Sequence, residues 1–186
     1  GAKAAALGIA VVDYGRDRVA LMGPTAARVL GVIPRALATA TVAVPRQRPA
    51  ITTTAGRVQF VKREVANLDT QRVTADVTIG WVTTPEQTVL DLADRPNLGG
   101  ITPATAAEAV RTMTGRCDQQ LVARLARTQR KAGAWQRYCW LVGLPAPTRR
   151  THIPTRGLHG VGDPADYGLD LAAKVWRKAH TPTGPS

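Results

Sequence analysis

The run Thr84-Pro85-Glu86-Gln87-Thr88-Val89-Leu90-Asp91-Leu92-Ala93 carries the clearest local signal in the chain. Thr84 is an N-cap residue type, whose side-chain oxygen satisfies a backbone N–H that the first helical turn leaves unpaired. Pro85 suits the first helical position, where its missing N–H costs nothing, and Gln87 stands at capping-box spacing from Thr84. The spacing predicts a helix from Pro85 to about Ala93. Leu90 and Leu92 then pack inward and Asp91 ties down a neighbouring loop, which makes the segment a fold signature and not an active site.

Upstream of this helix lie β-rich runs at Thr39–Val44, Arg57–Lys62 and Val77–Val82, each built from Val, Thr, Ile or aromatic residues between polar or Pro-containing turns. Earlier still, Ile9–Met22 alternates apolar residues around Tyr14-Gly15-Arg16-Asp17 and reads as a hairpin of two short strands. Gly23-Pro24-Thr25 opens a short helix that Gly31 closes. Downstream, Arg95-Pro96-Asn97-Leu98-Gly99-Gly100 is a turn, and Thr102-Pro103 starts a helix running to about Met113. Asp118 caps an amphipathic helix with Leu121, Val122, Leu125 and Ala126 on one face and Arg124, Arg127, Arg130 and Lys131 on the other. Gly133 breaks that helix, Ala134–Val142 forms the next, and Gly143 with Pro145 ends it. The order predicts an α/β (α+β) fold: a small mixed or antiparallel sheet followed by a cluster of helices.

Three regions follow from composition. Residues 1–143 form the core domain, 144–168 an irregular basic loop or arm rich in Pro, Gly, Thr, Arg and His, and 169–186 a C-terminal helix and tail. The chain opens on Gly1-Ala2 without Met, which suggests a piece of a longer protein. No apolar run approaches the roughly 18 to 20 residues of a membrane-spanning helix, and the first residues lack the charged region followed by an apolar core that marks a secretory leader, so neither secretion nor a membrane span is expected. Cys117 and Cys139 show no C-x-x-C spacing and are expected as reduced thiols in a cytoplasmic protein.

The formal net charge is +12 over 186 residues. Arg greatly outnumbers Lys, as in products of GC-rich genomes, but codon usage does not explain the shortage of acids. Such an excess points to an anionic partner, and guanidinium groups bind phosphate bidentately. Candidate phosphate contacts are Arg46, Arg48, Arg57, Lys62 and Arg63 in the strand loops, Arg124, Arg127, Arg130 and Lys131 on the amphipathic helix, and Arg149 and Arg150 in the arm. Further cations lie at Arg137, Arg156, Lys174, Arg177 and Lys178.

Catalytic constellations are hard to find. Ser occurs only as Ser186, which excludes a serine triad. Cys139 sits in an apolar helix beside Trp140, where burial opposes a reactive thiolate. His152, His159, Asp163 and His180 match no zinc spacing, so no metal is expected. Gly157-Leu158-His159-Gly160-Val161-Gly162 lacks the preceding strand of a phosphate loop. Glu64, Glu86 and Glu108 form no nuclease-like carboxylate cluster, and Asp91 and Asp94 read as capping or pairing acids. No catalytic residue, cofactor or enzymatic activity is expected.

The Thr84–Ala93 run also resembles the helix-opening motif of the AbiEi family of antitoxins, from type IV toxin–antitoxin systems. Gly23-Pro24-Thr25-Ala26-Ala27-Arg28-Val29-Leu30-Gly31 is similar to that family's early helix, followed by a strand ending in Val42-Ala43-Val44-Pro45. Arg95-Pro96 and Gly99-Gly100-Ile101 resemble its later turn. The likeness is best from Val19 to Val110, extends in order and character to about Gly143, and suits an actinobacterial member. It implies an antitoxin that represses its own operon by binding promoter DNA and counteracts a nucleotidyltransferase-like toxin. The family's N-terminal winged helix is expected to be missing here, leaving the C-terminal domain alone. A module that binds an acidic partner such as the toxin, without DNA, is the alternative reading, and a homodimer is compatible with both.

Overall fold

The computed structural model describes residues 2–75 and 78–145. Its centre is a mixed sheet of six strands in the order β3-β4-β2-β1-β6-β5, formed by β1 (Ala20–Leu21), β2 (Thr39–Val44), β3 (Ile51–Thr53), β4 (Gly56–Lys62), β5 (Thr70–Ala75) and β6 (Thr78–Thr83). β2 runs parallel to β4, with Thr39 opposite Arg57 and Val44 opposite Lys62, and β1 runs parallel to β6. The remaining neighbours are antiparallel. The expected strands at Thr39–Val44 and Arg57–Lys62 are present as β2 and β4, and the third β-rich run contributes β6. β3 and β5 were not expected; both are edge strands rich in Thr, and only one of their two flanks is paired.

The expected hairpin at Ile9–Met22 is not formed. Residues Ala2–Tyr14 make helix α1, and the returning strand shrinks to β1. Ile9 and Val11 alternate, but they continue the Ala-rich stretch Ala2–Leu7, and Ala has the highest helix propensity. Ala6, Leu7 and Ala10 come onto one helical face and are fully buried. Gly15, at φ 89°, ends the helix, so the turn was correctly placed but follows a helix.

α1 lies on one face of the sheet over Val42, Val58, Phe60 and Val82. Leu7 packs directly onto Gly80, where a Cβ would stand 2.3 Å from Leu7 Cδ2. The opposite face of the sheet carries Ala20, Met22, Ala43 and Val61, closed by Val65, Leu68 and Leu98.

A helical cluster continues from there: α2 (Gly23–Val29), α3 (Pro85–Asp94), α4 (Pro103–Thr114), α5 (Gln119–Thr128) and α6 (Ala132–Val142). α3 is its axis, with every residue from Gln87 to Ala93 buried. Val89, Leu90, Leu92, Val110, Met113, Val122, Tyr138 and Cys139 share one core with it. The turn between α3 and α4 needs Gly99 at φ 66°, where a Cβ would meet Pro24 at 2.9 Å and Thr41 at 3.1 Å.

Gly133 does not break the chain between α5 and α6; it lies inside α6. The break comes at Arg130, at φ 56°, where Lys131 N–H turns back to Ala126 O at 2.7 Å. Gly143, left-handed at φ 73°, ends α6 as expected. The expectations for the arm and the C-terminal helix, with Arg149, Arg150, Arg156, His152, His159, Asp163, Lys174, Arg177, Lys178 and His180, fall outside the described residues. Among the described residues no helix is long and apolar enough to cross a membrane.

Candidate functional site

α3 starts as its sequence dictates. The Thr84 hydroxyl oxygen accepts the Gln87 N–H at 3.3 Å, completing half of the expected capping box. The other half is absent, because the Gln87 side chain turns away from the cap. Its Nε2 donates to Asp91 Oδ1 at 3.0 Å and to Gln129 Oε1 at 3.2 Å, while its Oε1 accepts Gln129 Nε2 at 2.6 Å and Asp69 N–H at 3.2 Å. Gln87 and Gln129 thus form a reciprocal amide pair linking α3 to the end of α5.

Arg63, just past β4, completes the cluster. Its Nη1 lies 3.3 Å from Asp91 Oδ1 and its Nη2 donates to Gln129 Oε1 at 2.7 Å. Asp91 is 2 % exposed at its side chain, and its Oδ2 has no hydrogen-bond partner among the described residues. Burial raises its carboxyl to about 6, against the pull of the Arg63 charge and the Gln87 hydrogen bond. Gln129 Nε2 also donates to Asn67 O at 3.2 Å, and the Thr84 hydroxyl donates to Asp69 Oδ2 at 2.7 Å. Asp91 therefore does tie down the start of a neighbouring loop, the segment joining β4 to β5, through Arg63, while Gln129 fastens that segment at Asn67 and Gln87 fastens it at Asp69.

These attachments hold open a cleft of about 760 Å³ between that segment and α5. Lys62, Arg63, Glu64, Asp69, Gln129 and Lys131 supply its polar lining. Lys131 donates to Asp94 Oδ2 at 2.6 Å, so the acid predicted to pair does so. Glu86 instead accepts the Asp118 N–H at 2.9 Å, joining the starts of α3 and α5. The Asp118 carboxylate caps α5 by accepting Gln120 N–H at 2.8 Å and Leu121 N–H at 3.3 Å.

The candidate cations of the strand loops are dispersed by the fold. Arg57 and Lys62 sit at opposite ends of β4, and their side chains alternate to opposite sheet faces. Arg48 is paired with Asp13 and lies 4.5 Å over the Phe60 ring. Arg46, Arg57, Lys62, Arg124 and Arg130 are exposed, with no side-chain hydrogen bond or ion pair among the described residues. Arg127 is also exposed. The fold instead brings Lys62 and Arg63 from one sequence cluster and Lys131 from another to the same cleft. The residues that sequence reasoning missed are Gln129, Asn67 and Asp69. Only the polar Gln129 at the end of an amphipathic helix hinted at a role.

Neither thiol is a nucleophile in waiting. Burial pushes Cys117 and Cys139 up to about 12, which keeps both protonated at neutral pH. Both cysteines are free.

A mixed sheet, a buried helical axis and a loop fastened by that axis's polar residues define the class of protein, an α/β domain. Residues 18–144 match the AbiEi antitoxin C-terminal domain. The chain belongs to this family of antitoxin domains. The RV2827C protein from Mycobacterium tuberculosis, known from a crystal structure, shares the fold with a TM-score of 0.53 at 19% identity. The likeness covers 72% of this chain and 50% of that protein, so the chain spans about half its length. No curated protein sequence matches the chain.

Proposed function

We propose that this domain acts in the cytoplasm as antitoxin and transcriptional autoregulator of its operon, opposing a nucleotidyltransferase-like toxin and contacting promoter DNA phosphates through its free guanidinium groups. The observation that carries the DNA contact is the disposition of the cations. Arg124 and Arg130 are exposed on α5 and the turn that ends it, without a partner among the described residues, in a chain of net charge +12. Lys62, exposed at the end of β4, is likewise unbonded among the described residues. Phosphate contacts of this kind orient a protein on DNA without reading bases. Arg63 and Lys131, already bonded to Asp91 and Asp94, serve the fold first.

Fluorescence anisotropy with duplex DNA over a salt series tests the reading. Affinity is expected to fall linearly on a double-logarithmic plot, and the double variant Arg124→Glu/Arg130→Glu to flatten that slope by about 2. Absence of binding at low salt, or an unchanged slope in the variant, would remove DNA from this face.

A further inference from the structure

We propose that the concavity between the first turn of α1, α2 and the start of β2 binds a dianionic phosphate group, either free phosphate or the terminal group of a nucleoside monophosphate. It encloses about 250 Å³, below the roughly 300 Å³ at which sites for drug-sized ligands begin, so it suits a small group. Lys3 reaches it from α1, Arg28 from α2 and Thr39 from the first position of β2, with Thr25 and Leu37 beside them. Its lining holds two cations and no Asp or Glu among the described residues. In the larger cleft, by contrast, Arg63 and Lys131 already face Asp91 and Asp94. A hollow whose only formal charges are two positive ones favours a dianion over a neutral ligand.

Arg28 is already oriented. Its Nη1 donates to Pro34 O at 2.8 Å and to Arg35 O, which holds the guanidinium against the loop that follows α2. Both acceptors are neutral carbonyls, so the charge stays uncompensated. Nε and Nη2 make no bond among the described residues, and together they form the side-on fork whose two parallel N–H groups match two oxygens of a phosphate. The Lys3 ammonium and the Thr39 hydroxyl are likewise unbonded among the described residues and supply donors for the remaining oxygens. A carboxylate brings two oxygens and one charge, and would leave much of this set idle. The walls are fixed beforehand, because the Thr25 hydroxyl oxygen accepts the Thr41 N–H at 2.8 Å and ties α2 to β2. None of these residues belongs to the face proposed for duplex DNA, so the site is independent of that reading.

Isothermal titration of the full chain with inorganic phosphate, adenosine monophosphate and acetate, at constant ionic strength, tests the assignment. Saturable binding of at least one phosphate probe is expected with a Kd below about 1 mM, and acetate should bind at least about tenfold more weakly. Tighter binding of the nucleotide identifies the terminal group of a nucleotide as the source, and equal or tighter binding of inorganic phosphate identifies the free ion. Arg28→Lys keeps the charge but loses the fork, and Lys3→Gln removes a charge from a position without a bond among the described residues. Each should weaken the phosphate probe by at least about fivefold, while Arg124→Glu/Arg130→Glu, a larger loss of charge, leaves it within about twofold. Thermal melts identify the folded variants, and either one alone suffices. Four results overturn the proposal: no saturable binding of either phosphate probe, acetate binding as tightly, a folded Lys3→Gln or Arg28→Lys variant that binds as the parent does, or the same loss in the Arg124→Glu/Arg130→Glu variant. Duplex DNA binding by that double variant is read separately, so either reading can fail alone.

Discussion

Asp91 sits beside a guanidinium and is nevertheless raised to about 6, because desolvation outweighs the Arg63 charge. A carboxyl whose pKa is higher folded than unfolded binds more protons in the native state between about 4 and 6, so its contribution to stability declines as pH rises through that window. Above it, the ionised group costs about 3 kcal/mol relative to the protonated one. The pair therefore specifies where the β4–β5 segment sits and adds little net stability. Asp91→Asn is expected to abolish this pH dependence, so parent and variant unfolding free energies, measured by urea titration, should diverge in the variant's favour from pH 4 to pH 6.5. Removing the cation acts oppositely. Arg63→Met leaves the ionised Asp91 without its counter-charge and should lose about 3 kcal/mol at pH 7.5, with much of the loss recovered near pH 4.5 where Asp91 takes up a proton. Equal losses at both pH values would show that the two side chains are not coupled.

At the scale of elements, the sequence fixes starts and stops better than neighbours. Thr84 and Asp118 cap their helices as their residue types require, since capping is a contact within a single turn. Gln87 follows the same local logic only with its backbone, because a partner on α5 competes for its side chain. The ending of α5 at Arg130 was illegible for a related reason: a non-glycine residue holds a left-handed conformation there, and a nearby Gly133 seemed the better breaker. α1 shows the cost of reading alternation over too short a window, when the Ala-rich residues before it favour a helix. Its seat on β6 makes a sharp prediction. Gly80→Ala drives a methyl group against Leu7 and should destabilise the domain by about 1 to 3 kcal/mol, measured by denaturant unfolding. In the Leu7→Ala background the same change should cost distinctly less, and additive losses would mean that α1 is not packed as described.

For the molecule as a whole, α1 lies before the family match at residues 18–144 yet contributes Ala6, Leu7 and Ala10 to the core above the sheet. Deleting residues 1–17 should expose Val42, Val58, Phe60 and Val82, lowering the melting temperature sharply and raising binding of a hydrophobic dye. An unchanged melt would make α1 an accessory. By itself the sequence determined the strand runs Thr39–Val44 and Arg57–Lys62, the capped start of α3, the expectation that Asp91 fastens a loop, and the excess of positive charge. All of these depend on residue type and short spacing, which local sterics, capping and periodicity decide. Only the tertiary structure decided which cations meet and which are already bonded. Lys62, Arg63 and Lys131 converge because sheet order and helix packing bring residues 62 and 131 together. Arg57, much nearer in sequence, is carried to the far end and other face of its strand. Side-chain pairing across such separations follows from how whole elements bury their apolar faces, and no local pattern encodes it.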